Sequence, residues 1–223
     1  GHLLAIFLQE EVEFPFIALT VSGGHTDLYR VNGFGDYKIL GRTRDDAAGE
    51  SFDKVAKMLC LGFPGGPFIE QKALLGNPLA HKFPRAYLEK NSLDFSFSGL
   101  KTSVRNVILK RDAKKIHDLS DSDIAAGFQD AVIDVLTEKV VLACKKEKVD
   151  RIVVTGGVAA NTALRKRIAK VANLDGLEYF FPKPKYCTDN AAMIACAGYY
   201  KNINSPLSPE NAMHLDASAS LRL

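Results

Sequence analysis

The chain has 223 residues, of which 47% are hydrophobic and 25% are charged, and its formal net charge is +3. This composition is typical of a globular protein with room for one large or two modest domains, and the mild positive charge permits a polyanionic partner without requiring one. No apolar run is long enough for a membrane span and no secretory signal is recognisable, so we expect no membrane association. The cysteines are far apart, which argues against a disulfide framework or a structural zinc site and for a cytoplasmic location. They are Cys60, Cys144, Cys187 and Cys196.

The first half of the chain predicts three strands followed by helices. Short runs rich in β-branched and aromatic residues, joined by glycine-containing turns, predict strands over residues 16–21, 26–31 and 37–41. Apolar residues after Asp46 recur at helical spacing, which predicts a helix that ends near Gly62. A second helix is predicted from Pro67 to Leu75, with the proline in its first turn. The stretch that follows, to Phe97, is rich in turn residues.

The second half of the chain predicts alternating helices and strands. A helix is predicted over residues 98–111, and Ser120 opens a long helix because Asp123, three residues on, resembles the partner of a capping box. The apolar run RIVVT predicts a short buried strand. The remaining predicted elements are a helix at 160–171, a strand at 178–181 and a helix at 188–200. Together the elements predict an α/β fold with a mixed sheet flanked by helices.

Three loops each contain adjacent glycines. The first glycine loop is VSGGHT at 21–26, the second is FPGGP at 63–67 and the third is TGGVAAN at 155–161. Glycine tolerates positive φ, so each pair can be explained by a tight turn alone. Glycine also lets backbone N–H groups approach phosphate oxygens, and Gly156-Gly157 lie where a buried strand leads into a helix, a favourable place for an anion. The sequence leaves both explanations open.

Five segments occur in an order and at a spacing that resemble one protein family. They are VSGGHTDL, DDAAGESFDKVAKMLCLGFPGGP, DFSFSGLKTSV, TGGVAANTALR and CTDNAAMIACAG. In these segments the chain resembles the bacterial TsaD family, the tRNA adenosine threonylcarbamoyltransferases, which have the two-lobed actin/hexokinase/Hsp70-like fold. The resemblance implies that residues 1–15 end a first-lobe segment, 16–190 form the second lobe, and 191–223 form a helix and tail that pack back toward the first lobe. It also implies that the family's N-terminal portion would precede Gly1.

The resemblance implies one divalent metal, iron or zinc, held by two histidines four residues apart and by an aspartate. The second histidine matches His2, the aspartate matches Asp189 of the TDN motif, and the first histidine would precede Gly1. Imidazole and carboxylate ligands suit such a metal and leave positions open for water or substrate. The alternatives are that His2 belongs to a frayed terminus and that Asp189 only caps the last helix.

The resemblance also implies a site for ATP or threonylcarbamoyl-AMP. The positions that match the family's nucleotide contacts are Thr20, Val21, Ser22, Gly23, Gly24, Asp53, Gly66 and Asn161. We add both glycines of the third loop, Gly156 and Gly157. Asp53 would face the ribose or the substrate, Gly66 would allow close backbone approach, and Asn161 would offer an amide. The alternative for Asp53 is a solvated carboxylate beside Lys54.

Two charged groups near these positions also have two explanations each. Asp45, Asp46 and Glu50 could bind a cation, or they could lie at the solvated start of a helix. Lys101 and Arg105 could contact phosphate, although ordinary surface charge explains them as well. The sequence does not decide between these explanations.

The activity that the resemblance implies is transfer of a threonylcarbamoyl group from its mixed anhydride with AMP to N6 of the adenosine beside the anticodon, in tRNAs that read codons starting with A. The site would position the adenylate and polarise its carbonyl, in part through the metal. The implied partners are tRNA and proteins of the TsaB and TsaE types. No nucleophile constellation is recognisable, so the catalytic residues are unknown and the proton acceptor is expected in the N-terminal lobe. Two other functions stay open: a metallopeptidase, although no H-E-x-x-H motif is visible, and a non-catalytic ATP-binding scaffold.

Overall fold

The computed structural model describes residues 1–86, 89, 91–214 and 216, and its centre is a five-stranded sheet. The strands are arranged in the order β3-β2-β1-β4-β5. β1 pairs antiparallel with β2, and β2 pairs antiparallel with β3, whereas β1–β4 and β4–β5 are parallel pairs. The sheet is therefore mixed, as predicted. Its strands are β1 Phe16–Val21, β2 Thr26–Gly33, β3 Asp36–Arg42, β4 Arg151–Thr155 and β5 Glu178–Phe180.

Helices cover one face of the sheet and bury the larger core. Alternate side chains of β1, such as Ile17 and Leu19, point to this face and pack with the apolar sides of the helices. α4 is largely buried and lies at the centre of this layer. The helices of this layer are α1 Ala48–Met58, α2 Gly65–Ala73, α3 Ser98–Asp112, α4 Asp121–Glu147 and α5 Thr162–Asp175.

The opposite face of the sheet carries a smaller core. Phe16 and Ala18 of β1 pack there with Leu3 and Ile6, which belong to an N-terminal 3-10 helix at His2–Leu8. That 3-10 helix in turn packs against α7. The remaining helices are α6 Pro184–Cys187, α7 Ala191–Asn204 and α8 Pro209–Met213, and a 3-10 turn at Gly157–Ala160 follows β4.

The predicted elements agree with the structure in order and type, and they differ from it at short elements and at both ends of several helices. The capping box of α4 is confirmed, since Ser120 and Asp123 exchange hydrogen bonds between side chain and backbone. The second helix begins at Gly65 rather than Pro67, and the last predicted helix begins at Ala191 rather than at 188. The N-terminal 3-10 helix, α6 and α8 were not predicted, because such short segments contain too few turns to show a period.

The parallel pairing of β1 with β4 brings two of the glycine loops side by side. The register runs from Ile17 opposite Ile152 to Thr20 opposite Thr155, so both strands end at the same edge of the sheet. Ligands of such sheets bind beyond the carboxyl ends of parallel strands. The division into lobes at residues 15 and 190 stays a prediction, and most of the predicted C-terminal tail lies outside the described residues. Within the described part of the chain, no helix is long and apolar enough to cross a membrane.

Candidate functional site

The first glycine loop is a tight turn with an open outer surface. The Ser22 N–H donates to the carbonyl of His25, and the His25 N–H donates to Ser22 Oγ at 3.1 Å. A Cβ atom built on Gly23 or Gly24 would meet no atom within 4 Å. Both glycines are exposed, so their backbone is accessible to a ligand. The turn thus explains the conformation of the loop, and the free space beside it is what close approach of a phosphate would need.

The start of α1 lies against this loop at a glycine that the sequence analysis did not identify. The Gly49 N–H donates to the carbonyl of Ser22 at 3.2 Å. A Cβ on Gly49 would lie 2.5 Å from the same carbonyl oxygen, which is closer than real Cβ contacts. A glycine at this position therefore lets α1 contact the first loop directly.

The two glycines of the third loop have different surroundings. Gly156 has a φ of +92°, and a Cβ there would lie 2.3 Å from the carbonyl oxygen of Val21. For Gly157 the nearest atom to such a Cβ is Thr188 Cγ2 at 3.9 Å, an ordinary contact. Gly156 is therefore required by the packing of β4 beside β1. Gly157 has space beside it that a ligand can occupy.

The N-terminus of α5 already has side-chain partners. Asn161 Oδ1 accepts from the Leu164 N–H at 2.9 Å, and its Nδ2 donates to Gln129 Oε1 at 2.8 Å. Glu70 Oε1 accepts from the Thr162 N–H at 2.7 Å. These contacts satisfy the N–H groups of Thr162 and Leu164, so an anion at this loop would meet the 3-10 turn rather than these two groups. A nucleotide contact by Asn161 stays a prediction.

The second glycine loop is held by Asp53. Its Oδ1 accepts from the Gly65 N–H at 2.7 Å, at the first residue of α2. Lys54 instead pairs with Asp46 and Glu50. Interpreting Asp53 as a solvated carboxylate with no structural task is therefore wrong. One residue further on, Gly66 faces open space, with no atom within 4 Å of an added Cβ.

The predicted metal ligands come together in the structure. His2 Nε2 lies 3.1 Å from Asp189 Oδ1, and the His2 side chain is 16% exposed whereas that of Asp189 is 91% exposed. The backbone carbonyl of His2 accepts from Thr155 Oγ1, which attaches it to the end of β4. Burial lowers the pKa of His2, and the neighbouring carboxylate of Asp189 opposes that effect.

Both alternatives for this pair are wrong. His2 does not lie in a frayed terminus, since it begins a 3-10 helix whose residues Leu3 to Ile6 are buried. Asp189 does not cap α7. The N-cap is Asn190, whose side-chain oxygen accepts from the Met193 N–H.

His2 and Asp189 fit part of a metal site. The Nδ1 atom of His2 is buried and has no hydrogen-bond partner among the described residues. An imidazole nitrogen and a carboxylate oxygen are suitable ligands for zinc or iron. Catalytic zinc usually has three protein ligands, and no third histidine, cysteine or acidic residue joins this pair within the described part of the chain. The pair therefore offers two donor groups of the right chemistry, and their role as metal ligands stays a prediction.

The carboxylates of the acidic group near α1 already have hydrogen-bond or ion-pair partners. Asp46 accepts from Lys54 at 2.7 Å and from Lys101 at 2.6 Å. Asp45 accepts from the Phe97 N–H and from the side chain of Ser98. Because these carboxylates have partners, a cation site is not needed to explain them. Lys101 is paired as well, which removes it as a free phosphate ligand.

The comparisons with known proteins agree with the motifs. A family model described as TsaD, tRNA N6-adenosine threonylcarbamoyltransferase, matches residues 1–196. The chain belongs to this family. It is 50% identical over 212 residues to the relative of that name from Desulfitobacterium hafniense and 53% identical over 227 residues to the one from Thermodesulfovibrio yellowstonii. These matches cover 95% and 100% of the chain but only 62% and 66% of the relatives, so the chain spans less than two thirds of their length.

Solved structures support the fold of this TsaD-family chain. Full-length HypF, in a phosphate- and nucleotide-bound form, matches with a TM-score of 0.73 and 12% identity over 92% of this chain and 36% of that chain. The activator of the 2-hydroxyisocaproyl-CoA dehydratase from Clostridium difficile, with bound ADPNP, matches with a TM-score of 0.52 and 15% identity over 97% of this chain and 69% of its own. At such identities the likeness concerns the fold alone. It confirms the α/β fold class of the actin/hexokinase/Hsp70 type.

Three residues that support the site were not among the sequence-predicted site residues. Gly49 and Glu70 are two of them, and Gln129 is a third because its side chain accepts from the amide of Asn161. Glu70 lies four residues after Gly66, on the same side of α2, and this spacing is a signal that could have identified it. Gln129 had no such signal, since its contact joins two elements that are distant in sequence.

Proposed function

We propose that the protein, in its full natural length, transfers the threonylcarbamoyl group of threonylcarbamoyl-AMP to N6 of the adenosine beside the anticodon in tRNAs that read codons starting with A, forming t6A. Membership of the TsaD family and the names of its relatives support this proposal. The observation that carries it is the approach of His2 Nε2 to Asp189 Oδ1, 3.1 Å apart, next to the third glycine loop. The side chain of Thr188, the residue before Asp189, is the nearest neighbour of Gly157.

The glycine loops would hold the adenylate part of the substrate. Gly23 and Gly24 are exposed, so their backbone N–H groups would be the ones to contact phosphate oxygens, and the nucleoside would lie beside Gly66 and Gly157, where an added Cβ meets no close neighbour. Asp53 would fix the second loop through Gly65 and could offer its other carboxylate oxygen to a ribose hydroxyl. The main task of such a site is to hold the carbonyl carbon and N6 close enough to react.

The reaction forms one bond and breaks one. N6 of the adenosine attacks the carbamoyl carbonyl, the bond from that carbon to the phosphate oxygen breaks, AMP leaves, and N6 gives up a proton. His2 and Asp189 would hold a divalent cation, iron or zinc, which when bound would polarise the carbonyl or stabilise the leaving phosphate. Because the chain spans less than two thirds of its relatives, the proton acceptor is proposed to lie outside the described residues.

The partners and location follow from the same proposal. The substrate is tRNA, ATP or threonylcarbamoyl-AMP is the bound nucleotide, and proteins of the TsaB and TsaE types would assist. A tRNA-modifying enzyme of this kind would work in the cytoplasm. The metallopeptidase alternative gains no support, because the matching family model and the named relatives are transferases.

The test is an assay of the full-length protein with both partner proteins, ATP, threonylcarbamoyl-AMP and unmodified tRNA. We expect t6A in the digested tRNA by mass spectrometry, and none in a tRNA that carries guanosine at the acceptor position. Cleavage of a peptide without t6A would favour the peptidase. Nucleotide binding without t6A, in metal-loaded protein, would favour the scaffold and overturn the proposal.

A further inference from the structure

The segment that leads into α6 is fixed by contacts from distant parts of the chain. The Lys183 N–H donates to Gln9 Oε1 at 2.6 Å, and Gln9 Nε2 donates to the carbonyl of Phe181 at 3.0 Å. Arg165 Nη2 donates to the carbonyl of Pro182 at 2.7 Å, and the guanidinium lies 4.8 Å from the centre of the Phe181 ring. The backbone of this segment is therefore held by Gln9 and by Arg165. The Cα atoms of its exposed residues consequently have fixed positions.

This segment adjoins both parts of the candidate site. α6 packs against the 3-10 turn of the third glycine loop and against the N-terminal 3-10 helix that carries His2. The residues that directly follow α6 are Thr188, the neighbour of Gly157, and Asp189, the partner of His2. Side chains on α6 are therefore close enough to contact groups that neighbour the reacting atom of a bound substrate.

Two lysines on the segment are exposed and uncompensated. Lys183 and Lys185 flank Pro184, and neither forms an ion pair with the part of the chain that the structure describes. The ammonium group of Lys185 lies 4.7 Å from the centre of the Tyr186 ring, a cation–π contact that orients it without neutralising its charge. Two free positive charges on a rigid support beside the site are suited to a polyanion.

We propose that Lys183 and Lys185 bind backbone phosphates of the RNA on either side of the acceptor adenosine. This inference rests on the proposed function, because it assumes that the substrate is RNA. Phosphate contacts set the register and orientation of a nucleic acid without reading its sequence. Here they would hold the anticodon loop so that N6 of the acceptor base reaches the carbonyl. Both residues are thus positioning residues.

A second pair of lysines provides a matched control. Lys114 and Lys115 are also exposed, and they too form no ion pair with the described residues. They follow the C-terminal end of α3, whereas Ser98, at the other end of that helix, bonds to Asp45 near the start of α1. A helix of 15 residues is about 22 Å long. The control pair therefore carries the same charge at a distance from the glycine loops.

The experiment compares Lys183→Gln/Lys185→Gln with Lys114→Gln/Lys115→Gln in the full-length protein. Affinity for unmodified tRNA is measured at several salt concentrations, and t6A formation is measured against tRNA concentration. For the first variant we expect KM for tRNA to rise several-fold with little change in kcat. The slope of log affinity against log salt should fall by about 1.4 to 1.8, which corresponds to two lost phosphate contacts. ATP affinity should be unchanged, and the control variant should behave as the wild type.

The outcomes separate this inference from the proposed function. If the wild type forms t6A and the variant at 183 and 185 keeps its salt slope and KM, the inference is wrong and the proposed function stands. Equal losses in both variants would also overturn it, because they would indicate a diffuse charge effect. If the wild type forms no t6A and binds no tRNA, both proposals fail. Thermal unfolding of each variant checks that the fold is intact, which is expected for exposed side chains.

Discussion

His2 Nε2 lies 3.1 Å from Asp189 Oδ1, although the two residues are near opposite ends of the described chain. The contact depends on the N-terminal 3-10 helix, whose first residue is attached to β4 through Thr155, and on the junction between α6 and α7. Neither side chain caps a helix. Their contact is the feature on which the proposed cation site depends.

The first prediction concerns Asp189→Asn in the full-length protein. We expect loss of bound divalent metal and loss of t6A formation, because an amide oxygen is a much weaker ligand than a carboxylate. The free energy of unfolding of the metal-free protein should change little, since Asp189 is 91% exposed. Metal content by mass spectrometry and transfer to tRNA are the two measurements.

The adjacent residue is the control for that variant. Asn190→Ala removes the cap of α7 and should lower the free energy of unfolding by about 1 kcal/mol while metal is retained. If Asp189→Asn retains both metal and activity, Asp189 is not a ligand.

The second prediction separates the two glycines of the third loop. Gly156→Ala should destabilise the protein by about 1–3 kcal/mol or more, because the new side chain would have a positive φ and would clash with the carbonyl of Val21. Gly157→Ala should leave the urea midpoint nearly unchanged, since its nearest neighbour is 3.9 Å from the new Cβ. We expect Gly157→Ala to weaken nucleotide binding in calorimetry. Wild-type affinity in folded Gly157→Ala would remove this glycine from the site.

The third prediction concerns Gly66. Gly66→Ala adds a Cβ in open space in the first turn of α2, so stability should be kept or rise by up to about 1 kcal/mol through better helix propensity. If the nucleotide lies against the backbone of Gly66, the affinity of the protein for the nucleotide should fall even though the variant is as stable as the wild type or more stable. A stabilised variant that binds ATP as tightly as the wild type would contradict the assignment.

The fourth prediction distinguishes two tasks of Asp53. Asp53→Ala leaves the Gly65 N–H without its acceptor and should cost about 1 kcal/mol of stability. Asp53→Asn retains an oxygen that can accept from Gly65, so its stability should be closer to that of the wild type. If the carboxylate also binds the ribose, Asp53→Asn should still lower nucleotide affinity. Unaltered affinity in Asp53→Asn would limit the residue to a structural task.

The fifth prediction is a pH dependence at Asp45. Partial burial alone would raise the pKa of this carboxyl, but hydrogen bonds from Ser96, Phe97 and Ser98 outweigh it and hold the pKa below its usual value of 3.8. Such a group stabilises the fold above its unfolded pKa and loses that contribution as the pH falls through its folded pKa. Asp45→Asn should therefore lower the free energy of unfolding at neutral pH.

The difference between Asp45→Asn and the wild type should shrink below about pH 4, as measured by urea unfolding across the acid range. Glu138→Gln is the control, because its carboxylate is exposed and forms no ion pair with the described residues. A difference that stays constant from pH 7 to pH 3 would show that the charge of Asp45 does not stabilise the fold.

The sequence by itself determined the features that depend on neighbouring residues. A run of β-branched and aromatic residues located β1, apolar spacing located α4, and Ser120 with Asp123 located the start of α4, because each of these signals acts within a short stretch of chain. The glycine motifs and the TDN motif indicated the family for the same reason, since each is a short local pattern.

The tertiary structure alone decided which of those residues do what. Gly156 and Gly157 are equivalent in the sequence, but only the first lies against Val21 of a parallel neighbour strand. Asp189 and Asn190 are both good helix caps by type, and the backbone path of α7 selected Asn190. Steric clearance and hydrogen-bond partners depend on atoms that meet only when the chain folds. Local sequence patterns could therefore predict which loops form the site. The packing of the sheet and helices determined what each residue in those loops contacts.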